Sequence, residues 1–351
     1  MPKHSHTRVA ALAITIACLP MSATAQRSDA PRGTVIASNM VDHTVTILDA
    51  ATGRSLATLP TGKGPHEVTV SHDGKWALVS NYGVRGEPGN SIGVIDVARR
   101  AVVRTISLAE HRRPHGMSFL PGDTLFVVTC ETDRAILVVD FRDDRIQRVV
   151  PSGGRGSHML SVSSNGRRMV VANIADGTIS LIDPLVQGDQ KIITVARQPE
   201  GIAIAPDGRS AWVGSNQDSV VLVVSLDETK TDTLRGFGLP YRMAISADGK
   251  RAVITDPAKA QVTIFDVAQR RATATIQIPR DSILPAAEIP GSPSPEGVVL
   301  SRDGRWGFVT LQGRNRVVTI DLERGAIVGY AVTGNWSDGI GFSPLRGDAP
   351  P

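Results

Sequence analysis

Short runs of mostly apolar residues alternate with polar breaks along most of the chain, and the helical period of 3.6 residues is absent. One region shows the pattern clearly, with four such runs at 67–71, 76–80, 92–96 and 101–106. Their length and their content of valine and isoleucine predict β-strands. Apolar residues such as Ile202 and Ile204 alternate with small neighbours, which suits sheets covered on both faces. The pattern predicts an all-β protein.

One unit of this pattern recurs seven times. It contains an inner strand, a turn that is usually Asp-Gly or Asn-Gly, a second strand, and a third strand that ends in a polar residue. Asp-Gly and Asn-Gly are strong hairpin signals. The turn begins five residues after an aligned position at the start of the inner strand. The residues at that aligned position are His66, His115, His158, Glu200, Tyr241, Glu296 and Asp338.

A second landmark closes the third strand of each unit. It lies 25 residues after the aligned position in five units, and it is an aspartate in six of the seven. Because it follows an apolar strand at a turn entry, we expect its carboxylate to cap turn amides and to have no catalytic role. The landmark residues are Asp49, Asp96, Asp140, Asp183, Ser225, Asp266 and Asp321.

Seven such units predict a seven-bladed β-propeller of four-stranded antiparallel blades. The pattern begins at Thr34 with strands two to four of one unit and ends at Ser343 with the first strand of a unit. Pairing of the N-terminal strands with the C-terminal strand would close the ring and leave no open edge. We therefore expect a propeller at 34–345 and a tail at 346–351.

Several segments resemble the YVTN-type β-propeller repeats of exported bacterial proteins. They are Trp-Ala-Leu-Val-Ser-Asn at 76–81, Met-Val-Val-Ala-Asn at 169–173, Thr-Ile-Ser-Leu-Ile-Asp at 178–183 and Ser-Ala-Asp-Gly-Lys at 246–250. The resemblance covers residues 33–345 and implies the fold, but no single activity, since the family includes binding and surface proteins. Wider relatives include propeller lactonases, the haem d1 domain of nitrite reductases and the copper-binding propeller of nitrous-oxide reductase. WD-repeat proteins are less similar, because the Trp-Asp dipeptide is missing.

The first 25 residues predict a cleavable signal peptide. Lys3 and Arg8 precede an apolar run at 9–21, and Ala-Thr-Ala at 23–25 is typical of a cleavage site. No later stretch approaches the ~18 apolar residues of a membrane-spanning helix. We therefore expect a linker at 26–33, a periplasmic or secreted protein, and no transmembrane segment.

Charge argues against a nucleic-acid partner. The formal net charge is +4, from 38 basic and 34 acidic residues, and loss of Lys3 and Arg8 would leave +2. The basic residues form no cluster of the kind that contacts a phosphate backbone. We expect a monomer whose partner is a small molecule or another exported protein.

Only two cysteines occur in the chain, and Cys18 lies in the predicted leader. The mature chain would therefore contain Cys130 alone and no intramolecular disulfide, so core packing must supply its stability. Cys130 follows a predicted second strand. It could add a soft metal ligand beside the imidazoles, or it could simply be buried.

The aligned position places seven side chains around one mouth of the central channel. Three imidazoles in consecutive blades face an arc of carboxylates, and both groups are common metal ligands. Such residues could instead line a wet channel and cap backbone groups. The candidates for binding a divalent metal ion are His66, His115, His158, Glu200, Glu296 and Asp338. The candidates for a catalytic role are His66, His115, His158, Tyr241 and Arg242.

Arg242 could meet an anionic ligand, or it could form a salt bridge with Glu200 or Glu296.

Two enlarged connections are expected on the same face as the ring. One is a proline-containing excursion at 280–293, and the other is an insertion at 82–90 in the first blade. Loops that carry a site on a rigid scaffold show this arrangement, although surface loops also tolerate insertions.

Three functions fit this pattern. A nucleophile elbow, a phosphate-binding glycine loop, a Cys-x-x-Cys pair and a haem attachment motif are all absent from the sequence. The first hypothesis is an exported propeller that binds a small ligand, a metal ion or a partner protein at the ring. The second is a metal-dependent hydrolase or lyase of the propeller lactonase type, whose metal would lower the pKa of a bound water to about 7. The third is a haem d1-type or copper redox accessory protein.

Overall fold

The computed structural model describes residue 1 and residues 30–346, apart from 189, 229 and 286. Nearly all of the predicted signal peptide, half of the linker and the end of the tail lie outside the described residues. The strands form seven four-stranded antiparallel sheets, and their inner strands contact one another in a closed circuit. The predicted seven-bladed β-propeller is therefore confirmed. Within the described part of the chain, no helix has the length and apolarity needed to cross a membrane.

The blades are numbered so that blade one contains His66. Three strands at the start of the described chain belong to blade seven, namely β1 (Thr34–Asn39), β2 (Thr44–Asp49) and β3 (Ser55–Pro60). Blade one contains β4 (Pro65–Val70), β5 (Trp76–Val84), β6 (Glu87–Asp96) and β7 (Ala101–Ser107). Blade two contains β8 (Pro114–Phe119), β9 (Leu125–Cys130), β10 (Ala135–Asp140) and β11 (Arg145–Pro151). Blade three contains β12 (Ser157–Val162), β13 (Met169–Asn173), β14 (Thr178–Ile182) and β15 (Lys191–Thr194).

The remaining strands follow the same order from the hub outward. Blade four contains β16 (Pro199–Ile204), β17 (Ser210–Ser215), β18 (Val220–Ser225) and β19 (Thr231–Leu234). Blade five contains β20 (Met243–Ile245), β21 (Arg251–Asp256), β22 (Gln261–Asp266) and β23 (Arg271–Gln277). Blade six contains β24 (Pro295–Leu300), β25 (Trp306–Leu311), the short 3-10 helix Gln312–Arg314, β26 (Arg316–Asp321) and β27 (Ala326–Val332). The last strand, β28 (Ser337–Ser343), is the inner strand of blade seven.

The ring closes within blade seven, as the sequence predicts. Strand β28 pairs antiparallel with β1, and Thr34 lies opposite Ser343. The Thr34 hydroxyl also donates to the Leu345 carbonyl, at 2.8 Å. The two halves of this blade come from opposite ends of the propeller sequence, so its formation leaves no inner edge unpaired.

The core consists of apolar layers between neighbouring blades. Seven clusters are found among the described residues, and each contains side chains from two adjacent blades. In one cluster, Ile36 and Ile47 of blade seven pack against Val79 and Ile95 of blade one. Burial of both faces explains the nearly continuous apolar runs of the middle strands.

The recurrent aspartates cap turns, as expected. Asp49 accepts hydrogen bonds from the amide and the hydroxyl of Thr52, at 2.8 and 2.7 Å. Asp140 accepts from the amides of Arg142 and Asp143. These carboxylates lie at turns of the blades and not at the hub.

The insertion in blade one is not a separate loop. Strands β5 and β6 are longer than their counterparts and stay paired nearly to the tip, where Val84 lies opposite Glu87. The segment predicted as an insertion at 82–90 therefore extends a hairpin. Backbone pairing makes it a more rigid part of the ring face than an irregular loop would be.

Candidate functional site

A bulge at the start of the inner strands aims side chains at the hub. In blade one, Pro65 pairs with Asn81 and Val68 with Val79, so His66 and Glu67 together lie opposite Ser80. The same two-against-one arrangement occurs at the aligned position of every blade except blade five, where Tyr241 precedes the strand. Bulges re-aim side chains and interrupt strict alternation. The aligned residue and the residue after it can therefore both reach the channel.

A hydroxyl group that lies opposite the bulge of one blade donates a hydrogen bond to the aligned residue of the next blade. The Ser38 hydroxyl of blade seven donates to the His66 carbonyl at 2.6 Å, and the Thr129 hydroxyl of blade two donates to the His158 carbonyl at 2.6 Å. Thr255 and Thr310 make the equivalent bonds to the carbonyls of Glu296 and Asp338. Each of these four ring residues is thus positioned by the side chain of the preceding blade.

The three predicted imidazoles meet in one cluster. The ring centroids of His66 and His115 are 4.3 Å apart, and those of His115 and His158 are 3.9 Å apart. The Nδ1 atoms of all three rings are buried without a hydrogen-bonding partner among the described residues. Buried polar atoms are nearly always satisfied, so three unsatisfied nitrogens in one cluster indicate that another group belongs there.

The ionisation of the imidazoles differs across the cluster. Burial, reinforced by the neighbouring imidazoles, lowers the pKa of His115 well below its ordinary value. Burial also lowers the pKa of His158, against the opposing effect of Glu200, whose Oε1 lies 3.4 Å from Nε2. Both rings are therefore neutral near pH 7, which is the form that binds metals.

The pKa of His66 shifts in the opposite direction to those of the other two imidazoles. Burial would lower its pKa, but Asp338 and Glu67 together outweigh this and raise it. Its Nδ1 lies 3.1 Å from Asp338 Oδ2 and 3.5 Å from Glu67 Oε1. These distances suit ion pairs, although the geometry satisfies no hydrogen bond at Nδ1.

A buried arginine occupies the acidic side of the hub. Arg242 Nη1 donates to Glu200 Oε1 at 2.5 Å, and Arg242 Nη2 donates to Glu67 Oε1 at 2.8 Å. Of the two roles considered for Arg242, the salt bridge to Glu200 is therefore present, whereas none to Glu296 is formed. Burial would raise the pKa of Glu67, but Arg242 and His66 together outweigh this effect and lower it to about 2.

Two other hub carboxyls, those of Glu296 and Asp338, form no ion pair with an arginine or a lysine among the described residues. Burial and the neighbouring charge of Asp338 raise the pKa of Glu296 well above its ordinary value. Burial also raises the pKa of Asp338, against the opposing effect of His66. Apart from Arg242, the described hub contains no permanent cation to balance these acids, so protons or a bound cation would do so.

One group of side chains has the composition and spacing of a metal site. The potential ligand atoms of His66, Glu67 and His115 all lie within 4.8 Å of one another. Two imidazoles and one carboxylate form a known ligand set for zinc with one position left open. The sequence did not predict Glu67 as a ligand. The predicted ligands His158, Glu200, Glu296 and Asp338 lie in the same hub but outside this group.

Tyr241 and Cys130, which the sequence also singled out, lie in different surroundings. The Arg242 guanidinium lies over the Tyr241 ring, with 4.4 Å between the guanidinium carbon and the ring centroid. Burial raises the pKa of the Tyr241 phenol well above its ordinary value. This phenol stays protonated and can donate a hydrogen bond. Cys130 is fully buried in the core between blades one and two, and burial raises the pKa of its thiol. It is not a soft ligand beside the imidazoles.

Two further residues reach the site from the enlarged connections. The Tyr82 ring packs edge-on against the imidazoles of His66 and His115, with centroids 5.2 and 5.4 Å away, and its hydroxyl donates to Glu131. Glu288, in the excursion at 280–293, stands at the mouth, where partial burial and the Asp338 charge raise its pKa. The sequence located both segments on this face but did not single out either side chain.

No family model matches the chain, and no protein of curated function matches it in sequence. Solved structures do match. Hydrazine synthase from Kuenenia stuttgartiensis is 19% identical, with a TM-score of 0.68, over 86% of this chain and 98% of the other. A functionally unknown protein from Desulfotomaculum acetoxidans DSM 771 is 14% identical, with a TM-score of 0.73, over 89% and 99%. At these identities the similarity shows the fold alone, and the YVTN resemblance stays a prediction.

Proposed function

We propose that the protein is an exported binding protein that holds a divalent metal ion at the hub through His66, Glu67 and His115. The observation that carries the proposal is the position of two buried imidazoles, His66 and His115, whose Nδ1 atoms form no hydrogen bond with a described residue, next to the Glu67 carboxylate. A metal ion held by this group would bind the imidazoles of His66 and His115, though not that of His158, and would balance part of the negative charge of the acidic arc. The signal-peptide pattern of the first 25 residues supports export.

The chemistry of the donors favours a borderline metal. Imidazole nitrogens with one carboxylate suit zinc, copper or iron better than calcium or magnesium, which prefer oxygen ligands. Glu67 is held in its ionised form by Arg242, and His115 is held neutral by burial. Two of the three ligands are therefore already in the protonation state that metal binding requires.

Metal titration of the purified full chain tests this proposal. Elemental analysis of the exported protein should find a stoichiometric metal, and calorimetry with Zn²⁺ should show one site after chelator treatment. His115→Ala should weaken Zn²⁺ binding by at least tenfold, since it removes one of three ligands. His111→Ala is the matched control, because His111 pairs with Asp133 at the surface. Equal Zn²⁺ affinity in the two variants would overturn the proposal.

A second candidate is a metal-dependent hydrolase or lyase at the same site. The observation that favours it is the pKa of Glu296, which lies well above its ordinary value, because a carboxyl that stays protonated can act as a general acid. Here the Tyr241 hydroxyl and Arg242 would stabilise negative charge on a substrate. Zn²⁺-dependent turnover of lactones or esters that is lost in Glu296→Gln, with Zn²⁺ affinity retained, would identify the protein as an enzyme.

Visible absorption spectroscopy distinguishes a redox role from the other two. A haem d1 group or a copper centre would give the isolated protein a visible absorption spectrum, which a zinc site lacks. The same preparation used for elemental analysis provides this measurement. The similarity to hydrazine synthase contributes only the fold to this choice.

A further inference from the structure

A groove of about 490 Å³ opens on the ring face, separate from the metal group. Its lining includes the apolar side chains of Met40, Val41, Val84 and Trp336. Tyr82 also lines it and forms a shared wall with the hub, because the same ring contacts His66 and His115. The volume lies within the range of pockets that bind small molecules.

Two arginines border this groove without a carboxylate partner. No described carboxylate lies within ion-pairing distance of Arg85 or Arg113. The one acid at the hairpin tip, Glu87, pairs through both oxygens with Lys63. Arg113 stacks on the Tyr82 ring, with its guanidinium carbon 4.7 Å from the centroid. The groove therefore combines an apolar wall with two arginines that form no ion pair with a described carboxylate.

Two residues that line the groove have an uncommon backbone conformation. Arg113 and Trp336 have φ of 54° and 56°, and the equivalent positions in blades one and three are Gly64 and Gly156. This left-handed region favours glycine, so large side chains there cost conformational energy. Hydrogen bonds on both sides fix the two residues: the Arg113 amide donates to the Gly89 carbonyl, and the Trp336 carbonyl accepts from the Met40 amide. Both side chains are thereby presented to the groove before any ligand arrives.

We propose that this groove binds a small organic carboxylate with an apolar body. The body would pack on Trp336, Val84 and Met40, and the carboxylate would meet Arg85 and Arg113. Arginine suits this role because its planar guanidinium matches the geometry of a carboxylate. The site does not depend on a metal at the hub, so the two proposals can fail separately.

Calorimetry of chelator-treated full-length protein with octanoate tests the groove. We expect saturable binding of one octanoate, and at least tenfold weaker binding of octanamide, which has the same chain but no charge. Arg113→Gln should weaken octanoate binding by a similar factor. Arg100→Gln is the matched control, because Arg100 also has a left-handed backbone, with φ of 52°, but lies at the β6–β7 turn on the opposite face.

Trp336→Gly provides a second variant, at a backbone position that glycine can adopt without strain. Glycine suits the left-handed backbone, so the variant should keep the wild-type melting temperature while losing at least tenfold in octanoate affinity. The proposal is overturned if octanoate does not saturate, if octanamide binds equally well, or if Arg113→Gln binds like Arg100→Gln. Zn²⁺ titration of the same samples shows whether the hub proposal stands independently.

Discussion

The Arg242 guanidinium of blade five donates to the Glu67 carboxylate of blade one, across the hub and over 175 residues of sequence. Only 5% of the Arg242 side chain and 11% of the Glu67 side chain are exposed. The same guanidinium donates to Glu200 of blade four. One buried cation therefore links three blades, of which blade one shares no interface with the other two.

Removal of this cation should destabilise the propeller. In Arg242→Met, the carboxylates of Glu67 and Glu200 would stay buried without a counter-charge, and breaking a buried pair in this way costs about 3–5 kcal/mol. We expect the free energy of unfolding at pH 7 to fall by about that amount. Urea denaturation followed by far-UV circular dichroism measures it.

An exposed ion pair provides the control for this variant. Lys63 and Glu87 form a pair at 2.6 Å whose side chains are 55% and 62% exposed. Solvent screening limits such pairs to about 0–1 kcal/mol, so Glu87→Gln should change the unfolding free energy little. If Arg242→Met costs no more than Glu87→Gln, the hub pair is not desolvated as described.

The pKa of Glu67 predicts an acid-sensitive contribution to stability. The group has a pKa of about 2 in the folded protein, against an ordinary value of 4.5. A lowered pKa means that the unfolded chain binds the proton more readily, so the stability from Glu67 is complete above pH 4.5 and is lost toward pH 2. The stabilities of wild type and Glu67→Gln should therefore differ most at neutral pH and converge in acid. Urea midpoints measured across this range would contradict the prediction if the two curves stayed parallel.

The blade number and the ring were predictable because both follow from backbone periodicity. The aligned position recurs at the start of each inner strand, and inner strands of a propeller surround one axis. Closure was predictable for the same reason, since the strand at Thr34 lacks an inner partner until the strand ending at Ser343 supplies one. None of these features depends on how any single side chain is oriented.

Glu67 was not predictable from strand alternation, which places it on the face opposite to His66. The bulge removes that alternation and turns both residues toward the hub. A sequence signal does exist, because the position after the aligned residue is glycine in four of the seven units. Glu67 and Arg242 are the charged exceptions at this position. Their pairing joins distant blades, so it depends on side-chain reach that local sequence does not specify.

The acidic arc predicts that a hub variant will be more stable than wild type. Glu296 has a raised pKa, so the folded state binds its proton more tightly than the unfolded state. The ionised group therefore opposes folding at neutral pH, and this penalty disappears as the pH falls. Glu296→Gln should raise the urea midpoint of metal-free protein at pH 7, and the gain should shrink in acid. Glu110→Gln, at an exposed acid, should leave the midpoint nearly unchanged.

Gly339 allows the inner strands of blades seven and one to come into close backbone contact beside the site. A Cβ at this position would lie 2.1 Å from the His66 carbonyl oxygen and 2.6 Å from the Glu67 Cα. Both are backbone atoms, so no side-chain rotation relieves the contact. We expect Gly339→Ala to lower the free energy of unfolding by about 1–3 kcal/mol, as overpacking does.

The same displacement should reduce metal affinity, because relief of the contact moves the backbone of His66 and Glu67. Zn²⁺ calorimetry and urea denaturation should therefore both respond to Gly339→Ala. Gly188→Ala is the matched control, since a Cβ at Gly188 would meet no heavy atom within 4 Å and the φ of this residue is not in the left-handed region. If Gly339→Ala retains wild-type stability and Zn²⁺ affinity, the inner strands are not in the close contact that sets the hub geometry.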